Sequence, residues 1–135
     1  MNLEKGLAIE ALEMATLTQE MLKEYAQASG DYNKIHLDED VAKGVGLPGI
    51  IAHGMLVASL VSERARRFRK EFLGVEWWAC QMQVRFRNMS FPGEKILVGG
   101  KVRELSENTI VIELAARNED GELKTTSVVS YKKRS

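Results

Sequence analysis

The sequence predicts an α+β domain, with a helix laid on one face of a mostly antiparallel sheet. Two observations carry this. The hydrophobic period changes from helical spacing to strand-like alternation after about residue 75. The helical stretch just before that change is nearly all apolar in its first half, through Met55, Leu56, Val57, Ala58, Leu60 and Val61, and a helix apolar all round must be buried.

The elements follow in order. Residues 6–14 suit a short helix by propensity, and a strand is the alternative. Thr18 reads as an N-cap. Gln19 and Glu20 suit the first turn behind it, and Leu22, Tyr25 and Ala26 lie at helical spacing. Ser29-Gly30 reads as the helix stop. Residues 30–50 are rich in turn formers, among them Gly44, Gly46, Pro48 and Gly49. They read as a long ordered loop with a short helix near Asp38–Lys43, and so long a loop in a compact domain is usually functional. A helix is expected over 53–72, its front half in the core and its basic rear half (Arg64, Arg66, Arg67, Arg69, Lys70) emerging into solvent. Strands are expected at 76–87, 94–105, 108–117 and 122–133. Phe91-Pro92-Gly93, Glu107-Asn108 and Glu119-Asp120-Gly121 break them, the last a hairpin signal. One domain spanning 1–135 is expected.

The charges balance, with Lys plus Arg at 19 and Asp plus Glu at 19, so nothing suggests a nucleic-acid partner. No apolar run reaches the length of a membrane span, and the start of the chain lacks the pattern of a signal peptide. A cytoplasmic location is the default expectation. The single cysteine, Cys80, cannot form an internal disulfide and reads as a small buried hydrophobe. With 2 histidines and 1 cysteine lacking ligand spacing, no metal site is expected, and no phosphate-binding glycine loop points to a cofactor.

The stretch that carries chemistry is Ser29-Gly30-Asp31-Tyr32-Asn33-Lys34-Ile35-His36. It places an acid and a histidine on one loop after a helix end. A free aspartate titrates near about 4 and a free histidine near about 6.5, so both residue types can act as bases near neutral pH. The loop then enters the apolar helix through His53-Gly54. Gly54 falls in the first turn, where amides lack intrahelical acceptors and the dipole favours negative charge. An acid/base pair beside an amide donor suits thioester chemistry.

These residues resemble the MaoC-like dehydratase family, which includes (R)-specific enoyl-CoA hydratases. The matching positions are Gly30-Asp31-Tyr32-Asn33, Ile35-His36, Ala52-His53-Gly54-Met55-Leu56 and Ala58-Ser59-Leu60, with Phe86 and Phe91-Pro92-Gly93-Glu94 downstream. One departure is Lys34, where the family usually has proline. The resemblance implies a hot-dog fold, a curved antiparallel sheet wrapped around a long central helix. It makes residues 6–14 a strand, against their propensity, and implies a homodimer with the acyl chain near the subunit interface. It implies that Asp31 and His36 hold a water that adds to a trans-2-enoyl thioester, or leaves in the reverse dehydration. The Gly54 amide would bind the developing oxyanion, without any cofactor. Asn33 would position the loop or the His36 ring, Ser62 would support the aspartate, and His53 would be a framework residue.

Adjacent Trp77 and Trp78 should face opposite sides of a strand. The basic run Arg64–Lys70 could attract coenzyme A phosphates, and solvated helix charge is the commoner explanation. Met55, Leu56 and Phe86 are candidates to line the acyl pocket. Three other readings compete: a hydroxyacyl-acyl-carrier-protein dehydratase, which a basic patch near the pocket mouth would favour; a thioesterase; and a non-catalytic acyl-thioester-binding subunit, against which the presence of both Asp31 and His36 argues. Chain length, carrier, direction and pathway stay open in the sequence.

Overall fold

The computed structural model describes residues 3–134; Met1, Asn2 and Ser135, part of the expected 1–135 domain, lie outside the described residues. In chain order the elements are β1 (Ala8–Thr16), α1 (Gln19–Ser29), a 3₁₀ turn (Lys34–His36), α2 (Glu39–Gly44), α3 (Gly54–Phe72), β2 (Trp77–Phe86), β3 (Lys95–Leu105), β4 (Thr109–Arg117) and β5 (Leu123–Lys133). The strands form one antiparallel sheet in the order β1-β3-β4-β5-β2. Helix α3 touches every strand. This is the hot-dog arrangement.

The helices begin and end where local chemistry dictates. Thr18 Oγ1 accepts from Met21 N at 3.1 Å, and Gly30, at φ 80°, closes α1 by donating to the Ala26 carbonyl. That φ is open to glycine and costly for most other residues. Asp38 caps α2 by accepting from the amides of Asp40 and Val41.

Residues 8–16 are a strand in spite of their helix propensity, because tertiary pairing outweighs a preference of a few tenths of a kcal/mol per residue. β1 pairs with β3 through a bulge between Ile9 and Leu12. The bulge exposes the Glu10 carbonyl, and Arg64 of α3 donates to it from Nε at 3.2 Å and Nη2 at 2.8 Å. Opposite the bulge a Cβ on Gly99 would lie 2.7 Å from Ala11 Cα, so a side chain there would force the strands apart.

The core is a stripe along the whole of α3, not its front half alone. Val57, Val61, Ala65 and Phe68 pack on Ile96, Val98, Val102, Ile112, Leu114, Val129 and Tyr131. The expectation of a buried front and solvated rear is therefore corrected in two places. Met55 is 60% exposed, because the sheet covers only one side of the helix. Arg64 is 3% exposed, because its guanidinium serves the β1 bulge. The alternation expected at the tryptophans holds: Trp77 is buried, Trp78 exposed. Cys80 is half-buried, its thiol donating to the Ser130 carbonyl at 3.4 Å. Among the described residues no helix is long and apolar enough to cross a membrane.

Candidate active site

The 30–54 segment is folded by its own short polar side chains. Ser29 Oγ donates to the Tyr25 carbonyl and accepts from Asp31 N at 3.2 Å. Asp31 Oδ1 accepts from Asn33 N, and Asn33 Oδ1 accepts from Ile35 N, both at 3.2 Å. Each bond turns the chain within two residues, which is what Asx residues do in loops. Asn33 is thus the cap of the 3₁₀ turn that presents His36, and no contact ties it to the ring. Lys34, the departure from proline, is the first residue of that turn.

His36 is buried and its orientation is determined. Its Nδ1 lies 2.7 Å from the Ile51 carbonyl. A carbonyl only accepts, so Nδ1 carries the proton, and in the neutral ring the lone pair sits on Nε2. Nε2 lies 3.9 Å from Asp31 Oδ2. The Asp31 side chain is 51% exposed and that of His36 is 9% exposed. The pair therefore combines a solvent-facing carboxylate with an imidazole anchored from behind.

His53 stands directly behind this pair. Its ring stacks on His36 with centroids 3.9 Å apart, and Tyr25 meets it edge-on at 4.8 Å. Its Nε2 donates to the Asp31 backbone carbonyl at 3.1 Å, which fixes the residue bearing the acid. Its buried Nδ1 finds no partner. Burial holds its pKa below the ordinary histidine value; the bond to the Asp31 carbonyl opposes this, and nearby His36 adds to the lowering. A neutral His53 with its proton on Nε2 follows.

Asp31, His36 and His53 also form a possible metal-ligand group, their ligand atoms all lying within 4.8 Å of one another. The two rings are stacked at 25°, however, so their nitrogen lone pairs run side by side rather than converging on one point.

In front of His36 lies a cavity of about 290 Å³, lined by Ile51, Ala52, Gly54, Val57 and Phe86 together with residues of the 87–90 segment and Thr125. Gly54 is the first residue of α3, so its amide has no intrahelical acceptor. A Cβ there would lie 3.1 Å from the Phe86 ring, so glycine keeps this corner open. Of the three candidates for the acyl pocket, Phe86 lines this cavity, Leu56 is buried in the core and Met55 points into solvent.

Ser62 lies apart. It lines a separate groove of about 490 Å³ with Arg66, Arg69, Trp78, Cys80 and Tyr131. Within one chain nothing links it to Asp31.

The far wall of the cavity depends on Lys124, which no sequence motif marks. Lys124 is 0% exposed, and its ammonium donates to the Met89 carbonyl at 2.7 Å, to Glu94 Oε2 and to Glu122 Oε1. Its backbone carbonyl accepts from the amides of Arg87 and Asn88, and the next wall residue, Ser90, accepts from Ala52 N at 2.8 Å. Alternation alone places Lys124 outward, since Val129 and Tyr131 point inward. A register shift between Ala116 and Arg117 turns it in.

Comparison with known proteins identifies the family and the fold. The model of the MaoC-like domain matches residues 4–122. The chain belongs to the MaoC-like hydratase/dehydratase family. It is 31% identical over 85 residues to a mitochondrial 3-hydroxyacyl-[acyl-carrier-protein] dehydratase of Arabidopsis thaliana, covering 63% of this chain and 48% of that protein. It is 30% identical over 96 residues to the fatty acid synthase beta subunit TOXC of Cochliobolus carbonum, covering 71% of this chain and 4% of that protein. The chain thus spans less than half the length of these curated relatives. The solved structure of an (R)-hydratase from A. caviae involved in PHA biosynthesis superposes with a TM-score of 0.82 over 98% of both chains, at 24% identity.

Proposed function

We propose that this MaoC-like chain adds water to trans-2-enoyl thioesters, giving (R)-3-hydroxyacyl thioesters, or catalyses the reverse dehydration. The observation that carries the reading is the anchored His36 ring, whose free Nε2 faces Asp31 Oδ2 at 3.9 Å beside the cavity of Gly54. A water at ordinary hydrogen-bond distance from each, about 2.8 Å, would sit at the apex of an angle of roughly 90°. That suits a single bridging water.

In hydration the thioester carbonyl takes the Gly54 amide as donor. The Asp31/His36 pair removes a proton from the water as its oxygen bonds to C3. Electrons from the C2–C3 double bond move toward the thioester, and an enolate oxygen forms at the amide. The pair then returns a proton to C2, so it ends as it began. General acid–base help of this kind is worth about 10²–10⁴ in rate, and an oxyanion donor about 3–4 kcal/mol. His53 and Ile51 act as positioning residues, one fixing the Asp31 backbone and the other the His36 tautomer.

A homodimer is part of the same proposal. β2 is an edge strand, and Trp78, Phe86 and Met55 expose large apolar surface on or near it. Unpaired edges of this kind invite a second chain.

The test is the loss of enoyl ultraviolet absorbance when the purified protein meets crotonyl-CoA. Wild type should consume it, while Asp31→Asn and His36→Ala should each lose at least about 10²-fold in kcat. Wild-type turnover in both folded variants would falsify the mechanism.

A further inference from the structure

The four arginines of the basic run on α3 are already engaged. Arg64 is buried on the Glu10 carbonyl. Arg66 and Arg67 bond Glu63, and chiefly through Arg66 its carboxyl is held down to about 2. Arg69 donates to the Trp77 carbonyl. A second group of cations lies on the sheet face that α3 does not cover.

There a groove of about 740 Å³ runs across β2, β5, β4 and β3. Arg85 and Arg87 line it from the β2 side, Lys101 and Arg103 from β3. Register confirms a common face, since Arg85 pairs with Thr126, Thr126 with Ala115, and Lys101 with Glu113. Glu113 is the one acidic residue lining the groove, and it is 3.5 Å from Lys101. Among the described residues no hydrogen bond or ion pair engages the guanidinium of Arg85, Arg87 or Arg103. Arg87 also lines the catalytic cavity, so groove and cavity meet at this residue.

We propose that this groove binds the phosphorylated nucleotide end of coenzyme A while the acyl end occupies the His36 cavity. The inference rests on the thioester reading above and names the carrier. The groove's volume falls within the range of about 300–1,000 Å³ typical of small-molecule sites. Guanidinium forks match phosphate oxygens in geometry and charge. Coenzyme A carries several phosphates, in keeping with several unengaged cations. A protein carrier would bring one phosphate and an acidic surface, which requires no concave site.

Coenzyme A itself, without an acyl group, is the probe, titrated by calorimetry into wild type, Arg85→Gln, Arg103→Gln and the charge-keeping Arg85→Lys. Both glutamine variants should weaken binding about tenfold, the loss of one charge-assisted hydrogen bond. Arg85→Lys should keep most of the affinity. Both substituted positions, Arg85 and Arg103, are exposed, and thermal melts check the fold. In turnover, the glutamine variants should raise KM for crotonyl-CoA with kcat unchanged, and leave KM for crotonyl-pantetheine as in wild type. Coenzyme A binding indifferent to these variants overturns the proposal. So does a loss seen only with a crotonyl acyl carrier protein, which would assign the groove to a protein partner. Groove-dependent coenzyme A binding without turnover would instead sink the hydratase reading and leave the groove standing.

Discussion

Replacing Lys124 by methionine removes the ammonium and leaves its partners in place. Glu94 is the partner that matters, because it is only 16% exposed while Glu122 is 53% exposed. Glu94 keeps two neutral donors, Phe91 N at 2.7 Å and Asn118 Nδ2 at 2.7 Å, but loses its counter-charge. The Met89 carbonyl loses its donor as well. Breaking a buried ion pair from one side costs about 3–5 kcal/mol, and the orphaned carbonyl is included in that figure rather than added to it. At about 4 °C per kcal/mol for a chain of this size, the melting temperature should fall by roughly 12–20 °C. Calorimetry on Lys124→Met reads this directly, and the double variant Lys124→Met with Glu94→Gln should recover about half, since no uncompensated charge then remains. Burial alone would lower the Lys124 pKa, yet Glu122 and Glu94 raise it overall. A raised pKa means the contribution is fully present below the ordinary lysine value of 10.5 and is lost as pH rises beyond it. A single variant losing under about 1 kcal/mol, a cost typical of an exposed pair, would refute the view that this network holds the wall of the cavity.

Three further outcomes are expected. Lys34→Pro should stabilise the chain by about 0.4–1 kcal/mol in chemical denaturation, since Lys34 opens a 3₁₀ turn and Asn33 before it has ψ 126°, compatible with a following proline; a loss of stability would show that the Lys34 amide is needed. Gly54→Ala should fold normally but lose about 10²-fold in kcat/KM, because its methyl group meets the Phe86 ring at 3.1 Å in the cavity; full activity would show that the corner tolerates bulk. His53 has a lowered pKa, chiefly from burial, so below its ordinary value of 6.5 the unfolded chain takes up a proton that the folded chain resists. Stability should therefore fall as pH drops from 6.5 toward the folded value, and His53→Gln should flatten that part of the curve in denaturant titrations.

Much of this protein was legible in its sequence because its signals are local. The Thr18 cap, the Gly30 stop, the short helix near Asp38–Lys43, the four alternating strands and the Asp31-to-His36 loop all show in patterns a few residues long. Residues 8–16 were not legible from propensity, since their strand exists only once β3 lies alongside. Arg64 was misjudged, and Lys124 carried no signal, for a related reason. A bulge or register shift changes which way one side chain points, and no periodicity in the chain announces it. The partner of His36 is equally distant: the Ile51 carbonyl lies 15 positions away, and it alone selects the tautomer. The sequence by itself determined which groups can do chemistry and which segments can be helix or strand. The tertiary structure decided which lone pair faces the acid, which cations remain free and where the cavity opens, because these depend on contacts between residues that only folding brings together.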